Sequence, residues 1–340
     1  MYGMMVLVGA TGAGKTALLD ALFGPGGPLG GGAEVVSADS MQAYRGMDIG
    51  TAKPDAEFRR RLPHHLLDVR DPDRQFTAGD FVRLAEEATE SIQARGRLPV
   101  VAGGTGYYVR NLLFGLPSAP AADAATRAAV AADLARLGPL ALRAELAKGD
   151  PASADRIHAN DLYRLTRAVE ILRATGRPLA DFLPERHAAG GAAPGGHGLF
   201  VHYRRHREEL AARIAARVDA MFAAGLPDEV GRLRASGYGR ESPGMKAIGY
   251  AEFFELEAEG LTGPKLLAAV RARIVTDSLK YAKRQETFFR GLAKSLEAAE
   301  TDRRFGVRVV DAGDSAADAV RVASMLRDAP IGEDEKAPDA

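Results

Sequence analysis

Gly9-Ala10-Thr11-Gly12-Ala13-Gly14-Lys15-Thr16 fits the phosphate-loop pattern GxxxxGK[ST] at every fixed position. Before it, Met4-Met5-Val6-Leu7-Val8 is a short apolar run of the kind that forms a buried strand. After it, Ala17-Leu18-Leu19-Asp20-Ala21-Leu22 reads as the opening of a helix. Glycines let the turn fold so that successive backbone N–H groups face phosphate oxygens, and the positive end of the following helix adds to that field. Lys15 supplies a point charge, and the Thr16 hydroxyl is a ligand for Mg²⁺. The stretch predicts a strand–loop–helix unit that holds a di- or triphosphate. It does not say which one, or what becomes of it.

Working outward, strand and helix signals alternate. Glu34-Val35-Val36-Ser37 reads as a second strand, residues 64–69 as a third, and Leu98-Pro99-Val100-Val101-Ala102 as a further buried one. A helix is predicted over 77–94, with Thr77 as its cap and Gly96 as its stop. This alternation predicts an α/β fold: a parallel sheet of the P-loop NTPase type, flanked by helices, with ligands at the carboxyl ends of its strands. From 117 to 182 the pattern turns helical and rich in Ala and Arg, and residues 190–198 form a Gly/Ala-rich hinge. The predicted organisation is a core of residues 1–116 and 198–328, interrupted by an α-helical insertion over 117–197. Strands at 199–203 and 307–310, and helices at 206–224, 226–236, 245–259 and 263–293, complete the core. Residues 329–340 are charged, contain proline and are expected to be disordered.

The 340 residues, 46% of them apolar, can build one large domain and a smaller lobe. No apolar run is long enough to span a bilayer, so no membrane association is expected. Met1-Tyr2-Gly3 runs straight into the first strand and leaves no room for a signal peptide, and a cytoplasmic location is expected. The absence of cysteine excludes disulfides and thiolate zinc sites. Lys plus Arg number 45 and Asp plus Glu 45, so any nucleic-acid binding must come from local basic faces.

An NTPase of this type carries a second strand that ends in an acidic, Mg²⁺-holding residue. Here the strand 98–102 ends in Gly103-Gly104-Thr105, with no acid. The strand 34–37 is followed instead by Asp39. A carboxylate there can act as a general base toward a substrate at the phosphate loop, or it can simply cap the next turn.

Together with the phosphate loop, several blocks resemble the bacterial tRNA dimethylallyltransferases, also called tRNA isopentenyltransferases. The most specific is Asp39-Ser40-Met41-Gln42-Ala43-Tyr44-Arg45-Gly46-Met47-Asp48-Ile49-Gly50-Thr51-Ala52-Lys53-Pro54. Others are Pro63-His64-His65-Leu66-Leu67-Asp68, Gly103-Gly104-Thr105-Gly106-Tyr107-Tyr108, Asn160-Asp161, Arg164 to Glu170, Ile248-Gly249-Tyr250 and Ala282-Lys283-Arg284-Gln285. The similarity runs from about Val6 to about Arg290. Ala10 replaces a usual proline and Phe288 a common tryptophan, and neither change removes a reactive group.

The resemblance implies transfer of a dimethylallyl group from dimethylallyl diphosphate to N6 of an adenine beside the tRNA anticodon. It also implies Mg²⁺ as cofactor and an insertion that grips the anticodon stem-loop. It places the diphosphate on Gly9, Ala10, Thr11, Gly12, Ala13, Gly14, Lys15 and Thr16, with Lys15 neutralising the leaving group and Thr16 toward the metal. Asp39 becomes the general base and Thr105 a partner of the amine or the bridging oxygen. On the residues alone, Thr105 is equally a helix cap. The tRNA is expected on Asp39, Ser40, Met41, Gln42, Thr105, Arg127, Tyr163, Arg164, Leu165, Thr166, Arg167, Lys246, Lys283, Arg284 and Gln285. The base must leave its stack to reach a buried donor.

Plainer readings stand beside several of these. Gln42 can be a solvated loop amide, and the basic residues on the last long helix, Lys280 and Arg290 included, a solvated face. Arg164 and Arg167 can pair with Asp161 or Glu170. Arg213 and Arg217 share a helix face and can reach the diphosphate or form helix ion pairs. His64 and His65 lack a partner cluster at metal spacing and read as structural, and Tyr107 and Tyr108 read as packing. A monomer is the working expectation. Competing functions are a P-loop nucleoside kinase, an adenylate isopentenyltransferase acting on free nucleotide, and a non-enzymatic RNA-binding protein. The last would have no use for Lys15, Thr16, Asp39 and Thr105 together.

Overall fold

The computed structural model describes residues 3–120, 122–182, 198–298 and 305–328. The hinge expected over 190–198 lies outside these residues except for Gly198, and the tail at 329–340 lies outside them entirely. The strands are β1 (Met4–Val8), β2 (Ala33–Ser37), β3 (His64–His65), β4 (Leu98–Gly103), β5 (Gly198–Arg204) and β6 (Phe305–Asp311). They form one sheet in the order β3-β2-β4-β1-β5-β6, with every pairing parallel. All five residues of β1 are buried, as a strand covered on both faces requires.

The helices that follow β1 to β4 are α1 (Lys15–Phe23), α2 (Ala56–Arg61), α3 (Ala78–Ala94) and α4 (Gly106–Phe114). Next come α5 (Ala124–Leu137), α6 (Pro139–Gly149), α7 (Pro151–Arg156) and α8 (Leu162–Thr175). After β5 come α9 (Arg207–Ala223), α10 (Leu226–Ala235), α11 (Ala251–Ala258) and α12 (Gly263–Ala298), and α13 (Ser315–Arg327) follows β6. The chain divides into two compact units, one of Met1–Leu113 and Gly191–Ala340, the other of Phe114–Gly190.

In the first unit, alternate residues of the strands pack with α1 and α13. Met5, Leu7, Val35, Val100, Leu199 and Val201 meet Leu18 and Leu22 of α1 and Val322 and Leu326 of α13 in one cluster. Burying each such side chain contributes about 1.5–3 kcal/mol before entropy is counted. In the second unit, Val130, Leu142, Leu146, Leu165 and Val169 make a separate core.

β1 sits at the point where the strand order reverses. The chain leaves it for β2 on one side, and β5 and β6 lie on the other. Ligands of open parallel sheets collect at such a point, beyond the carboxyl ends of the strands. The phosphate loop leaves β1 there, flanked by the ends of β2, β4 and β5.

The local predictions hold around the sheet and fail at turns. Thr77 caps α3 in a reciprocal box with Asp80. The third strand covers 64–65 alone, because Leu66 and Asp68 take positive φ angles of 65° and 57° that no strand permits. The helix expected over 245–259 is broken at Gly249, whose φ is 101°, and only Ala251–Ala258 is α-helical. The last long helix runs on to Ala298, and α2 and α13 form where the sequence pattern above predicts no helix.

Candidate functional site

The phosphate loop is held in shape by its own glycines and by three arginines. Gly12 and Gly14 have φ angles of 80° and 103°, where a Cβ would be strained. Arg217 Nη1 donates to Thr11 Oγ1 at 3.0 Å, Arg213 Nε to Gly12 O at 2.9 Å and Arg205 Nε to Ala13 O at 2.9 Å. Gly14 caps α1 without a side-chain bond, and no acidic residue stands in the first turn. The positive end of α1 is therefore left for an external anion.

Lys15 folds back onto the loop, donating to Gly9 O at 2.8 Å and Ala10 O at 3.0 Å. Burial lowers its pKa to about 8, the Asp39 charge opposes the shift and Arg217 reinforces it. Burial likewise lowers the pKa of Arg217, against the pull of Asp39.

Two cavities open beside this loop. The first, of about 780 Å³, is lined by Lys15, Thr16, Gln42, Lys53, Arg213 and the end of β4 at Gly103-Gly104, with Leu19, Val35 and Phe58 as apolar wall. The second, of about 350 Å³, is lined by Ser40, Met41, Lys246, Ile248, Ser278 and Arg284. Thr11, Asp39, Thr51, Arg217 and Tyr281 line both. A carboxylate and a guanidinium therefore stand where the space beside the phosphate loop meets a second space with cations at its wall.

Asp39 caps the turn after β2: Oδ1 accepts from Met41 N at 3.0 Å and from Gln42 N at 3.4 Å. The turn bonds engage Oδ1, and the Asp39 side chain lines both cavities. Of the two readings of Asp39, the turn cap is the one these bonds form. Burial, with the Asp39 charge adding, pushes Tyr281 up to about 12, so it stays a phenol. The Thr105 hydroxyl accepts from Ser40 N at 2.9 Å and donates to Ser40 Oγ at 3.2 Å. Thr105 lines neither cavity, and its bonds to Ser40 brace the Asp39 turn.

The IPP transferase family profile matches residues 42–292 of this sequence. A tRNA dimethylallyltransferase of Xanthomonas campestris is 42% identical over 294 residues, covering 84% of this chain and 86% of that one. One of Anaeromyxobacter dehalogenans is 46% identical over 293 residues, covering 84% and 90%. The chain belongs to the IPP transferase family. The crystal structure of a family member, the tRNA isopentenylpyrophosphate transferase of Bacillus halodurans, is 32% identical, covers 96% of both chains and superposes with a TM-score of 0.61. A eukaryotic dimethylallyltransferase acting on tRNA, 24% identical, shares the fold at a TM-score of 0.70 over 96% of this chain and 78% of its own.

With the family established, the other residues singled out in the sequence fall into three groups. Ser40, Met41, Lys246 and Arg284 line the second cavity. Lys246 also pairs with Glu241 at 3.5 Å, and Arg284 lies over the Tyr281 ring at 5.7 Å. Lys283 is exposed one residue before it. Within the second unit, Tyr163 is 81% exposed. Beside it, Arg164 pairs loosely with Asp161 at 3.4 Å. Thr166 bonds back to Leu162 O at 2.8 Å, Arg167 reaches Pro120 O at 3.0 Å, and Arg127 donates to Ala122 O at 2.9 Å.

The third group is not placed as expected. Leu165 is fully buried in the core of the second unit, because it lies on the apolar face of α8, so its side chain cannot touch RNA. Gln285 is 5% exposed, with both ends of its amide bonded inside the protein. Gln42 bridges Ser37 Oγ at 3.2 Å and Thr51 O at 3.2 Å, which leaves its amide little capacity to read a base. On the exposed side of α12, Lys280 pairs with Asp277 at 2.9 Å and Arg290 with Glu286 at 3.6 Å.

His65 bonds Glu34 at 2.6 Å, away from both cavities. His64 bonds Leu62 O at 2.6 Å through Nδ1 and lines the first cavity. Tyr108 stacks on Phe81 with centroids 4.7 Å apart, while Tyr107 is exposed. The sequence assigns no site role to Tyr281 or Arg205, and names Thr51 only within the block Asp39 to Pro54. Tyr281 carries a readable signal, four residues before Gln285 on the same helix, and Thr51 carries one through its block, whereas Arg205 carries none.

Proposed function

We propose that this chain transfers a dimethylallyl group from dimethylallyl diphosphate to N6 of the adenine beside the anticodon of tRNA and releases diphosphate. The observation that carries this reading is the junction itself: Asp39, Thr11, Thr51, Arg217 and Tyr281 line both the phosphate-loop cavity and the second cavity. A nucleoside kinase takes an uncharged nucleoside as acceptor and needs no cations around it. Here the second space holds no phosphate loop and opens beside Lys246 and Arg284, as a space for a base extruded from RNA would. The curated relatives at 42–46% identity are named for this activity on tRNA. Tyr163 and Arg164, exposed on the helical second unit, favour RNA over a free nucleotide as acceptor.

In this reading the donor diphosphate lies on the amides of the loop and the open end of α1, with Lys15 and Arg217 facing it. The N6 lone pair attacks C1 of the dimethylallyl group. The C1–O bond breaks, and its electron pair leaves with the diphosphate oxygen. The Asp39 carboxylate takes the N6 proton. Negative charge grows on the leaving group as the bond breaks, so cations already aimed at it stabilise the transition state more than the ground state. Thr105 acts through Ser40 to hold the Asp39 turn.

Mg²⁺ fits this donor set. Among the described residues no group of three or more His, Cys, Asp or Glu could hold a metal ion. Thr16 lines the first cavity from the first turn of α1, so the hydroxyl and the diphosphate oxygens would hold the ion together, with waters completing its shell. When bound, Mg²⁺ neutralises charge on the leaving diphosphate.

The second unit carries Tyr163 and Arg164 exposed at the start of α8, suited to stacking and phosphate contact, and we assign it the grip on the anticodon stem. The test is direct. Purified protein, dimethylallyl diphosphate, Mg²⁺ and unmodified tRNA should give RNA heavier by one dimethylallyl group on an adenine. ATP turnover with no RNA product would overturn the proposal.

A further inference from the structure

We propose that Gln285 is a positioning residue of the donor site, acting on the phosphate loop rather than touching RNA; this rests on the function proposed above. Its Oε1 accepts the Thr11 N–H at 2.9 Å, and its Nε2 donates to Gly104 O at 2.8 Å. One buried amide thereby ties the loop after β1 to the loop after β4, across 274 and 181 residues of sequence.

Three features single out this bracket. First, it is closed: a Cβ on Gly104 would run into Gln285 Nε2, so the glycine at 104 is the space in which the amide lies. Second, it removes the Thr11 amide from the set that can face phosphate, while Arg217 takes up the Thr11 hydroxyl. Thr11 becomes the fixed hinge of the loop, and Gly12 to Thr16 are left to face the ligand. Third, the bracket comes from the turn of α12 that also carries Tyr281 and Arg284, both on the second cavity. A helix turn whose neighbours line the acceptor space sets the shape of the donor cradle. A neutral amide suits this place: it supplies one donor and one acceptor without adding charge beside a diphosphate.

The bracket separates two affinities that an RNA contact would not separate. Intact wild type, Gln285→Met and Gly104→Ala are titrated with inorganic diphosphate and, separately, with unmodified tRNA. Gln285→Met keeps the volume and loses both bonds. Gly104→Ala keeps the glutamine and displaces its amide, which covers the case that the first variant does not fold. Both variants should bind diphosphate about tenfold more weakly, the effect of one or two lost net hydrogen bonds, and bind tRNA within about twofold of wild type. In turnover, the KM for dimethylallyl diphosphate should rise while kcat at saturating donor falls less. A loss of tRNA affinity with unchanged diphosphate affinity overturns the proposal, and so does an equal loss of both. If wild type makes no prenylated RNA, the functional reading fails, while the diphosphate titration still decides the role of Gln285.

Discussion

Arg217 donates through Nη1 to the Thr11 hydroxyl at 3.0 Å, and so ties the middle of α9 to the phosphate loop at the junction of the two cavities. Its other terminal nitrogen reaches Thr51 O at 3.4 Å. A planar fork can span both partners from one position, and an ammonium cannot. Arg217→Lys should keep the charge and lose the span, lowering kcat/KM for the donor about ten- to a hundredfold, or ~1.4–2.8 kcal/mol. Steady-state kinetics with donor varied at saturating tRNA checks this. Wild-type kcat/KM in the lysine variant would show that charge alone is needed there.

Lys15 gives the site a pH dependence of definite sign. Burial brings its pKa down to about 8 in the free protein. Below that value the ammonium is charged and can neutralise the diphosphate. Above it the proton is lost, and donor capture should weaken. Plotted against pH, kcat/KM for the donor should hold on the low side of 8 and fall on the high side. A bound diphosphate favours the charged form, so kcat should persist to higher pH. Lys15→Arg should move the fall to higher pH, because a guanidinium keeps its proton. An alkaline limb unchanged in that variant would assign it to another group.

Glu229 supports the junction from the far side. Buried in α10, it accepts from Asp48 N at 3.0 Å, Ile49 N at 2.9 Å, Gly50 N at 3.2 Å and the Tyr250 hydroxyl at 2.7 Å. The segment it holds leads into Thr51, which lines both cavities. Glu229→Ala leaves these donors without an acceptor and should destabilise the fold by roughly 3 kcal/mol or more. Denaturant unfolding measures it. A midpoint within error of wild type would mean that water or a rearranged loop satisfies those groups.

The sequence shows most clearly what local physics enforces. The apolar run at β1, the glycine pattern after it and the Thr77–Asp80 cap each have one conformation that satisfies them, and each forms where expected. A group whose partner is distant in sequence is not legible in this way. Glu229 is one acidic residue among several on a helix, and nothing nearby marks it as buried beneath residues 48–50. Gln285 follows Lys283 and Arg284, so it reads as part of a basic face, yet helix geometry turns it inward. Leu165 likewise shares a motif with exposed arginines and belongs to the core. The helix α13 was readable: Asp314 caps it and Ala319, Val322, Ala323 and Leu326 line its buried face.

In the proposed reaction Asp39 accepts a proton from RNA at the meeting point of the two cavities. Its turn bonds engage Oδ1, and an asparagine can keep them, so Asp39→Asn should fold normally and bind tRNA as wild type does. The decisive measurement is the single-turnover rate of dimethylallyl addition to tRNA at saturating donor, followed by mass spectrometry of the RNA. Removal of a general base should slow the variant about 10²–10⁴-fold with its tRNA affinity intact. Prenylation by Asp39→Asn at the wild-type rate would contradict the assignment.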